Sequence, residues 1–227
     1  MRLPRSLDLS NYRQRRSFGA LRWIAIIALA SMFAPPSHGQ CSFPASSSGT
    51  RLTYRFEPVV TDGKLTIHIT LEFPGGREGT AELELPSEWA GQTHLEDEVT
   101  NLKALSPDTM GLDTAQPSVK KFRFSPNQDV IVSYDLVKDW NGAFVHPNQF
   151  RAVLEQDFFE FTTQNALVHP KFGSSDVVSV HFDWQKLPPG WTLETSLGAD
   201  ERCQSFTGRW HKVNEALFAG VTSAFIA

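Results

Sequence analysis

The strongest constraint on the fold of this chain is a strict alternation of apolar and polar residues over positions 64–73. A period of two puts apolar side chains on one face of a β-strand and polar side chains on the other, which is typical of a half-buried antiparallel strand. The same pattern returns in three later stretches, 81–85, 130–136 and 178–184. Together the four stretches predict a fold made of antiparallel sheets.

Shorter stretches with similar patterns bring the candidate strands to about nine: 52–56, 120–124, 151–154, 158–162 and 192–195. The predicted fold is all-β, either an antiparallel β-sandwich or a saddle-like sheet domain. Helical periodicity is scarce, and we expect only a turn or short helix near Trp89 and another within 210–218. The predicted β-domain spans 51–220, with a linker at 40–50 before it and a short apolar tail at 221–227 after it.

Residues 1–39 have the order of an export signal. A basic stretch leads into an apolar run at 23–34, which is predicted to form the export-signal helix. The run has about 12 residues, fewer than the roughly 20 that a membrane-spanning helix needs. Ser37 and Gly39 supply the small residues that precede a cleavage site, so the mature chain is expected to begin at Gln40.

The pair Arg15-Arg16, followed by Ser17-Phe18, also fits a twin-arginine export signal. Twin-arginine export, ordinary export and retention as an uncleaved anchor stay open as alternatives. All three predict that the β-domain is periplasmic or secreted. The chain is expected to contact the membrane only transiently, during export, through the signal.

The predicted signal and the rest of the chain carry net charges of opposite sign. The net charge is −4, yet residues 1–39 carry six Arg and one Asp, and the remaining residues carry 15 basic and 24 acidic side chains, a charge of −9. An acidic surface repels a phosphate backbone, so no nucleic-acid partner is expected. An apolar content of 41% is sufficient for a packed core and argues against global disorder.

The two cysteines lie far apart in sequence: Cys41 opens the expected mature chain, within the predicted linker, and Cys203 lies near the end of that chain. Cysteines of exported domains usually pair in an oxidising compartment. A Cys41–Cys203 disulfide is therefore predicted, which would tie the two ends of the domain together. The alternative is a redox or metal-binding pair, but no C-x-x-C motif or neighbouring His cluster supports it.

Motifs for metal, nucleotide or hydrolase chemistry are missing from the sequence, among them H-E-x-x-H, H-x-H, G-x-S-x-G, a P-loop and G-x-G-x-x-G. The stretch 94–98 (H-L-E-D-E) lacks a second His four residues on, and it is predicted to be a solvated acidic loop. His68 and His181 are expected on the exposed faces of their strands, without a shared metal. We therefore expect no catalytic residue, no metal ligand and no cofactor.

Two weaker hypotheses stay open. One is a hydrolase with an unrecognised carboxylate site, which would use Asp176 with Asp183, or a group formed by Glu155, Asp157 and Glu160. Such acids are common on any acidic strand-rich surface, so their spacing alone does not favour the hypothesis.

The second hypothesis is an envelope carbohydrate-binding or structural module. Most Trp and Phe residues are expected in the core, because β-sandwiches bury aromatic rings readily. Asp139 and Trp140 are the exception. They belong to a turn-like Asp-Trp-Asn-Gly segment, and we expect Trp140 to be an exposed candidate contact for a ligand.

Several segments, in order, resemble the N-terminal β-domain of the glycyl aminopeptidase family, the PDZ-bearing zinc metallopeptidases. Together they span about residues 50–220. The segments are L-P-S-E-W at 85–89, V-T-N-L at 99–102, V-S-Y-D-L at 132–136, D-W at 139–140, F-D-W through T-S-L-G at 182–198, and A-L-F-A-G at 216–220.

The resemblance implies a β-sandwich that, in that family, precedes a helical catalytic domain with an H-E-x-x-H zinc site and then a PDZ domain. The zinc ligands have no counterparts in this sequence, so no catalytic residue carries over. The resemblance therefore implies an exported, non-catalytic domain, either a module that binds a protein or peptide partner or serves as a scaffold, or a truncated peptidase remnant.

Overall fold

The computed structural model describes Cys41 and residues 49–112, 115–142, 150–198 and 202–223. Strands dominate these residues, and the bounds of the sixteen strands found there are β1 Thr50–Thr61, β2 Lys64–Pro74, β3 Thr80–Glu84, β4 Glu88–Trp89, β5 Gln92–Thr93, β6 Val99–Ala104, β7 Met110–Leu112, β8 Val119–Arg123, β9 Asp129–Leu136, β10 Val153–Glu155, β11 Phe158–Thr162, β12 His169–Pro170, β13 Val177–Asp183, β14 Trp191–Thr195, β15 Cys203–Arg209 and β16 Leu217–Thr222.

The strands form three sheets and one hairpin. The large sheet has the order β15-β13-β1-β2-β9-β6, the aromatic sheet has the order β10-β11-β16-β14, and a third sheet has the order β12-β3-β8-β7. Strands β4 and β5 form the separate hairpin. All described pairings are antiparallel except that of β1 with β13, which is parallel. The prediction of an all-β, antiparallel fold is confirmed in its coarse form, since the described residues are mostly β and form antiparallel sheets.

The longest predicted alternation is confirmed in β2. Leu65, Ile67 and the following alternate apolar residues are buried, while His68 between them is exposed. The alternation fails in β13, where His181 is only 1% exposed, so the prediction of an exposed His181 is wrong. Its Nδ1 lies 2.9 Å from Ser205 Oγ on β15, and a hydrogen bond of this kind makes the burial of a polar ring tolerable.

Helices are short, as expected. Helix α1 spans Thr163–Ala166, helix α2 spans Trp210–Val213, and a 3-10 helix spans Leu95–Glu98. The turn or short helix expected near Trp89 is a turn, at Ala90 and Gly91. Residues 88–93 form the β4–β5 hairpin, because Ala90 and Gly91 both adopt positive φ (49° and 84°), as a tight two-residue hairpin turn requires.

The core lies between the large sheet and the aromatic sheet. Trp184 stacks between Phe56, at a centroid distance of 4.0 Å, and Phe159, at 5.3 Å. Trp191 continues the stack, 5.7 Å from Phe159. Rings from both sheets thus form one continuous stack, which joins the two sheets face to face.

One glycine is required by this stack. A Cβ placed on Gly220 of β16 would lie 2.1 Å from Cε1 of Phe159 on the neighbouring strand β11. The phenyl ring therefore packs directly on the backbone of β16, and any larger residue at position 220 would displace it.

The predicted disulfide is confirmed, since Cys41 and Cys203 are bonded with their Cα atoms 5.6 Å apart. It joins Cys41, which precedes the β-domain in sequence, to the first residue of β15. The predicted export signal at 1–39 lies outside the described residues, as does most of the linker at 40–50. In the part of the chain that is described, no helix is long and apolar enough to cross a membrane.

Candidate functional site

The structure places Trp140 beneath the surface rather than on it. Its side chain is 9% exposed, its Nε1 donates a hydrogen bond to the Ala152 carbonyl at 3.1 Å, and Lys138 Nζ lies 3.9 Å from the ring centroid. The expectation of an exposed Trp140 is wrong, because a backbone acceptor satisfies the indole N–H and a cation covers one ring face. Whether Trp140 contacts a ligand stays a prediction.

Asp139 is engaged in a cluster with Arg151. Asp139 Oδ2 lies 2.6 Å from Arg151 Nη1, and Arg151 Nη2 donates to the Thr93 carbonyl at 2.7 Å. Arg151 Nη1 also lies 3.6 Å from Oε1 of Glu98, whose Oε2 accepts a hydrogen bond from the Ala152 N–H at 3.2 Å. The cluster therefore joins the ends of β5, the 3-10 helix, β9 and the start of β10.

Glu98 is the most unusual member of this cluster. It is 0% exposed, so the prediction that stretch 94–98 is a solvated loop is wrong at this residue. Burial first, and then the nearby Asp139 carboxylate, raises the pKa of Glu98 to about 9. The Ala152 N–H and Arg151 oppose this shift. Glu98 therefore keeps its proton at neutral pH and serves as a buried structural carboxyl.

A cleft of about 190 Å³ opens beside Arg151. Trp89 of the β4–β5 hairpin and Phe150 form one wall, with their rings edge to face at 5.2 Å. Leu217, at the start of β16, lines the cleft as well. The lining combines apolar side chains with Arg151, Glu160, Thr162 and Asn165, and its apolar wall suits an apolar side chain.

Hydrogen bonds at the start of helix α1 fix the position of one wall of the cleft. Thr162 caps α1, since its Oγ1 accepts from the Asn165 N–H at 3.3 Å and Asn165 Oδ1 accepts from the Thr162 N–H at 2.8 Å. Asn165 Nδ2 then donates to the Phe150 carbonyl at 2.9 Å. A capping box thus fixes the backbone that carries Phe150.

The cleft continues onto one face of the aromatic sheet, which we call the outer face. On β16 this face carries Leu217, Ala219 and Val221, while Phe218 and Gly220 point into the core. The neighbouring strands add further residues to the outer face, namely Phe158, Glu160 and Thr162 on β11, and Thr192 and Glu194 on β14.

A second cleft, of about 500 Å³, lies on the solvent side of the large sheet. His68 Nδ1 contacts Asp135 Oδ1, and Asn101 Nδ2 donates to Asp135 Oδ2 at 2.6 Å. Asn101 has a φ of 54° beside an irregularity in the β6–β9 register, which directs its side chain toward Asp135. Within the described ranges, no group of three or more His, Cys, Asp or Glu side chains could hold a metal ion.

The two histidines considered for a shared metal are separated by a strand. His68 on β2 pairs with Glu57 of β1, and His181 on β13 pairs with Thr53 of the same β1. Because β1 lies between them, the sheet order does not make them neighbours. The expectation that they share no metal stays a prediction.

Three of the five candidate carboxylates have separate structural contacts. Glu155 pairs with Lys138 at 2.6 Å. Asp176 accepts the Gly173 N–H at 2.8 Å, and Asp183 accepts the Gln185 N–H at 2.9 Å, which are contacts of local turns. Glu160 is exposed on the outer face.

Burial agrees with a core role for most aromatic residues. Trp184, Trp210, Phe159 and Phe161 are buried, whereas Trp89, Trp191 and Phe158 are half-buried. Sequence analysis missed the Glu98–Arg151 contact and the cleft, because the residues involved are distant in sequence and belong to no motif.

No protein-family model and no curated protein sequence matches the chain. Among solved structures, the chain is similar to an aminopeptidase N family protein from Idiomarina loihiensis, at 15% identity and a TM-score of 0.55, covering 75% of this chain and 29% of that chain. An M1 zinc metallopeptidase from Deinococcus radiodurans matches at 12% identity and a TM-score of 0.36, covering 76% of this chain and 41% of that chain.

The chain thus spans under a third of the length of the Idiomarina loihiensis protein and under half of the length of the Deinococcus radiodurans protein. The first likeness establishes that the described domain shares its fold with a part of an aminopeptidase N family protein. The resemblance to a β-domain of zinc metallopeptidases, inferred above from ordered sequence segments, is confirmed at the level of the fold.

Proposed function

We propose that this chain is an exported, non-catalytic β-domain of metallopeptidase type that binds a protein or peptide partner. The observation that carries the proposal is the fold likeness to a part, 29%, of an aminopeptidase N family chain. In that protein a domain of this fold is continuous with a much longer polypeptide. A domain in such a setting has other protein as its natural neighbour.

The surface of the domain supports a binding role. The cleft beside Arg151 offers apolar walls, and the outer face offers half-buried apolar residues between exposed carboxylates. Surfaces that combine apolar residues with charged ones in this way are typical of protein interfaces. By contrast, the buried residues Glu98 and Trp140 are engaged in contacts that stabilise the fold.

Export is part of the proposal, and two observations support it. Residues 1–39 have the order of an export signal, and the Cys41–Cys203 disulfide suits an oxidising compartment. The expected product is a chain that begins at Gln40, which intact-mass measurement of the protein from the periplasm or medium would detect. A product that retains residues 1–39 in the cytoplasm would contradict this part of the proposal.

Peptidase activity is the direct test of the non-catalytic role. The purified full-length chain, incubated with Zn²⁺ and a panel of aminoacyl-p-nitroanilides, is expected to release no p-nitroaniline above the buffer rate. Release that a chelator abolishes and added Zn²⁺ restores would contradict the proposal.

Binding to immobilised peptide and glycan arrays separates the proposal from the carbohydrate-binding alternative. We expect binding to peptides. Binding to glycans alone, reduced by substitution of the half-buried Trp89 or Trp191, would favour a carbohydrate-binding module instead.

A further inference from the structure

The residues that β16 contributes to the outer face of the aromatic sheet are evenly spaced. Leu217, Ala219 and Val221 project from this face at alternate positions, so successive side chains are about 6.6 Å apart along the strand. An extended peptide has the same repeat. A peptide that lies along β16 can therefore place every second side chain over one of these three residues.

The middle position is flanked by two carboxylates. In the strand register, Glu160 of β11 and Glu194 of β14 are both partners of Ala219, one on each side. Strand spacing puts their Cα atoms about 10 Å apart. Both side chains are exposed, and neither takes part in an ion pair with another described residue. The small Ala219 side chain leaves room between them.

The two end positions are apolar. Leu217 borders the cleft formed with Trp89 and Phe150, and its side chain is 37% exposed. At the other end, Val221 is the register partner of Phe158, and both are half-buried. Apolar surface therefore lies on both sides of the acidic middle position.

We propose that this outer face binds an extended protein segment with the pattern apolar–x–basic–x–apolar. The first apolar side chain enters the cleft at Leu217, the Lys or Arg lies over Ala219 between Glu160 and Glu194, and the second apolar side chain covers Val221. The charge of −9 on the chain after residue 39 attracts a basic segment in the same sense. This inference rests on the proposed peptide-binding function and adds the chemistry of the partner.

The test uses the full-length chain and a capped, fluorescein-labelled peptide, Gly-Leu-Ser-Lys-Ser-Leu-Gly, with binding read by fluorescence anisotropy at low salt. Replacing Lys by Glu in the peptide is expected to abolish binding. The double variant Glu160→Gln/Glu194→Gln is expected to weaken binding of the Lys peptide about fivefold, the effect of two exposed ion pairs. Added salt should reduce the difference between the variants.

The matched control is Glu78→Gln/Asp108→Asn, which removes two exposed charges outside the aromatic sheet. It is expected to bind the Lys peptide like the unchanged chain. A further variant, Ala219→Trp, fills the space between the carboxylates and should abolish binding, while an unchanged melting temperature shows that the fold is intact.

Equal binding of the Lys and Glu peptides, or equal binding by the Glu160/Glu194 double variant and its control, would overturn the inference. If peptides without a basic residue bind and the Lys peptide does not, the inference fails while the proposed function stands. If no peptide on the array binds and a glycan does, both fail.

Discussion

The two faces of the aromatic sheet use the same strands in opposite ways. On the inner face, Phe159, Phe161 and Phe218 are buried in a stack of rings shared with the large sheet. On the outer face, Leu217 and Ala219 of the same β16 remain accessible, with carboxylates beside them. Alternate residues of one strand therefore differ in role: the inner ones join two sheets, and the outer ones are those that we propose to contact a partner.

Tolerance to substitution should differ sharply between the faces. Inner residues are packed against other rings, so removal of even a methyl group is expected to lower the stability of the fold. Outer residues touch solvent, so their substitution alters charge and shape with little change in stability.

The largest expected loss of stability follows from truncating Trp184, the ring at the centre of the stack. Trp184→Ala should lower the free energy of unfolding by about 3–5 kcal/mol, because it removes the ring between Phe56 and Phe159. The outer-face variant Leu217→Ala should cost less than about 1 kcal/mol. Urea unfolding with the disulfide intact measures both, and similar costs would contradict the distinction between the faces.

A conservative variant sharpens this result. Trp184 Nε1 is buried without a hydrogen-bond partner among the described residues. Trp184→Phe keeps a ring in the stack and removes this unpaired donor, so it should cost clearly less than Trp184→Ala. A cost equal to that of the alanine variant would indicate that the stack is not the source of stability.

Adjacent residues of β16 provide the next comparison. Gly220→Ala should destabilise by about 1–3 kcal/mol, since its Cβ would overlap the ring of Phe159. Ala219→Ser, one residue away on the outer face, should change stability by less than about 0.5 kcal/mol. Thermal unfolding followed by circular dichroism compares them, and a neutral Gly220→Ala would show that the ring has room to move.

The sequence predicted the buried face of the large sheet much better than the outer face of the aromatic sheet. Alternation identified the inner residues of β2 and β9, because burial imposes a period of two on any strand with one covered face. It failed for His181, whose hydroxyl partner, Ser205 of β15, lies 24 residues later in the chain. Periodicity contains no information on such pairings.

The candidate site was predicted only in part. Asp139 does belong to a polar cluster, but the exposure expected for Trp140 was wrong, since its acceptor, Ala152, comes from a later segment. The position of Glu160 opposite Glu194 depends on strand order and register. Two glutamates 34 positions apart become neighbours only when β16 lies between them.

The buried carboxyl group of Glu98 differs from the exposed carboxyl groups in its pKa. The pKa of Glu98 is raised from 4.5 to about 9, so the folded chain keeps a proton that the unfolded chain releases. Its contribution to stability is full below pH 4.5 and is lost as the pH rises through about 9. The slope is up to about 1.4 kcal/mol per pH unit.

Glu98→Gln keeps an acceptor for the Ala152 N–H and cannot ionise. We therefore expect the stability of this variant not to decline between pH 6 and pH 9. At pH 8, its free energy of unfolding should be higher than that of the unchanged chain by about 1 kcal/mol or more. Urea unfolding across this pH range is the measurement. Parallel pH profiles for the two chains would show that Glu98 ionises normally.

The smallest expected effect on stability is on the outer face itself. Glu160→Gln/Glu194→Gln should change the free energy of unfolding by less than about 0.5 kcal/mol, since both side chains are exposed and lack ion-pair partners among the described residues. Differential scanning calorimetry should find its melting temperature close to that of Glu78→Gln/Asp108→Asn. A large loss of stability would assign these glutamates to the fold rather than to binding.

The central claim, that the outer face of the aromatic sheet meets the partner, is tested most directly by methyl NMR during titration with the Lys peptide. We expect progressive shifts of the Leu217 and Val221 methyl signals on the outer face, while those of the buried Leu193 and Val180 stay in place. Saturable shifts confined to methyl groups of the large sheet, with Leu217 and Val221 unmoved, would contradict it.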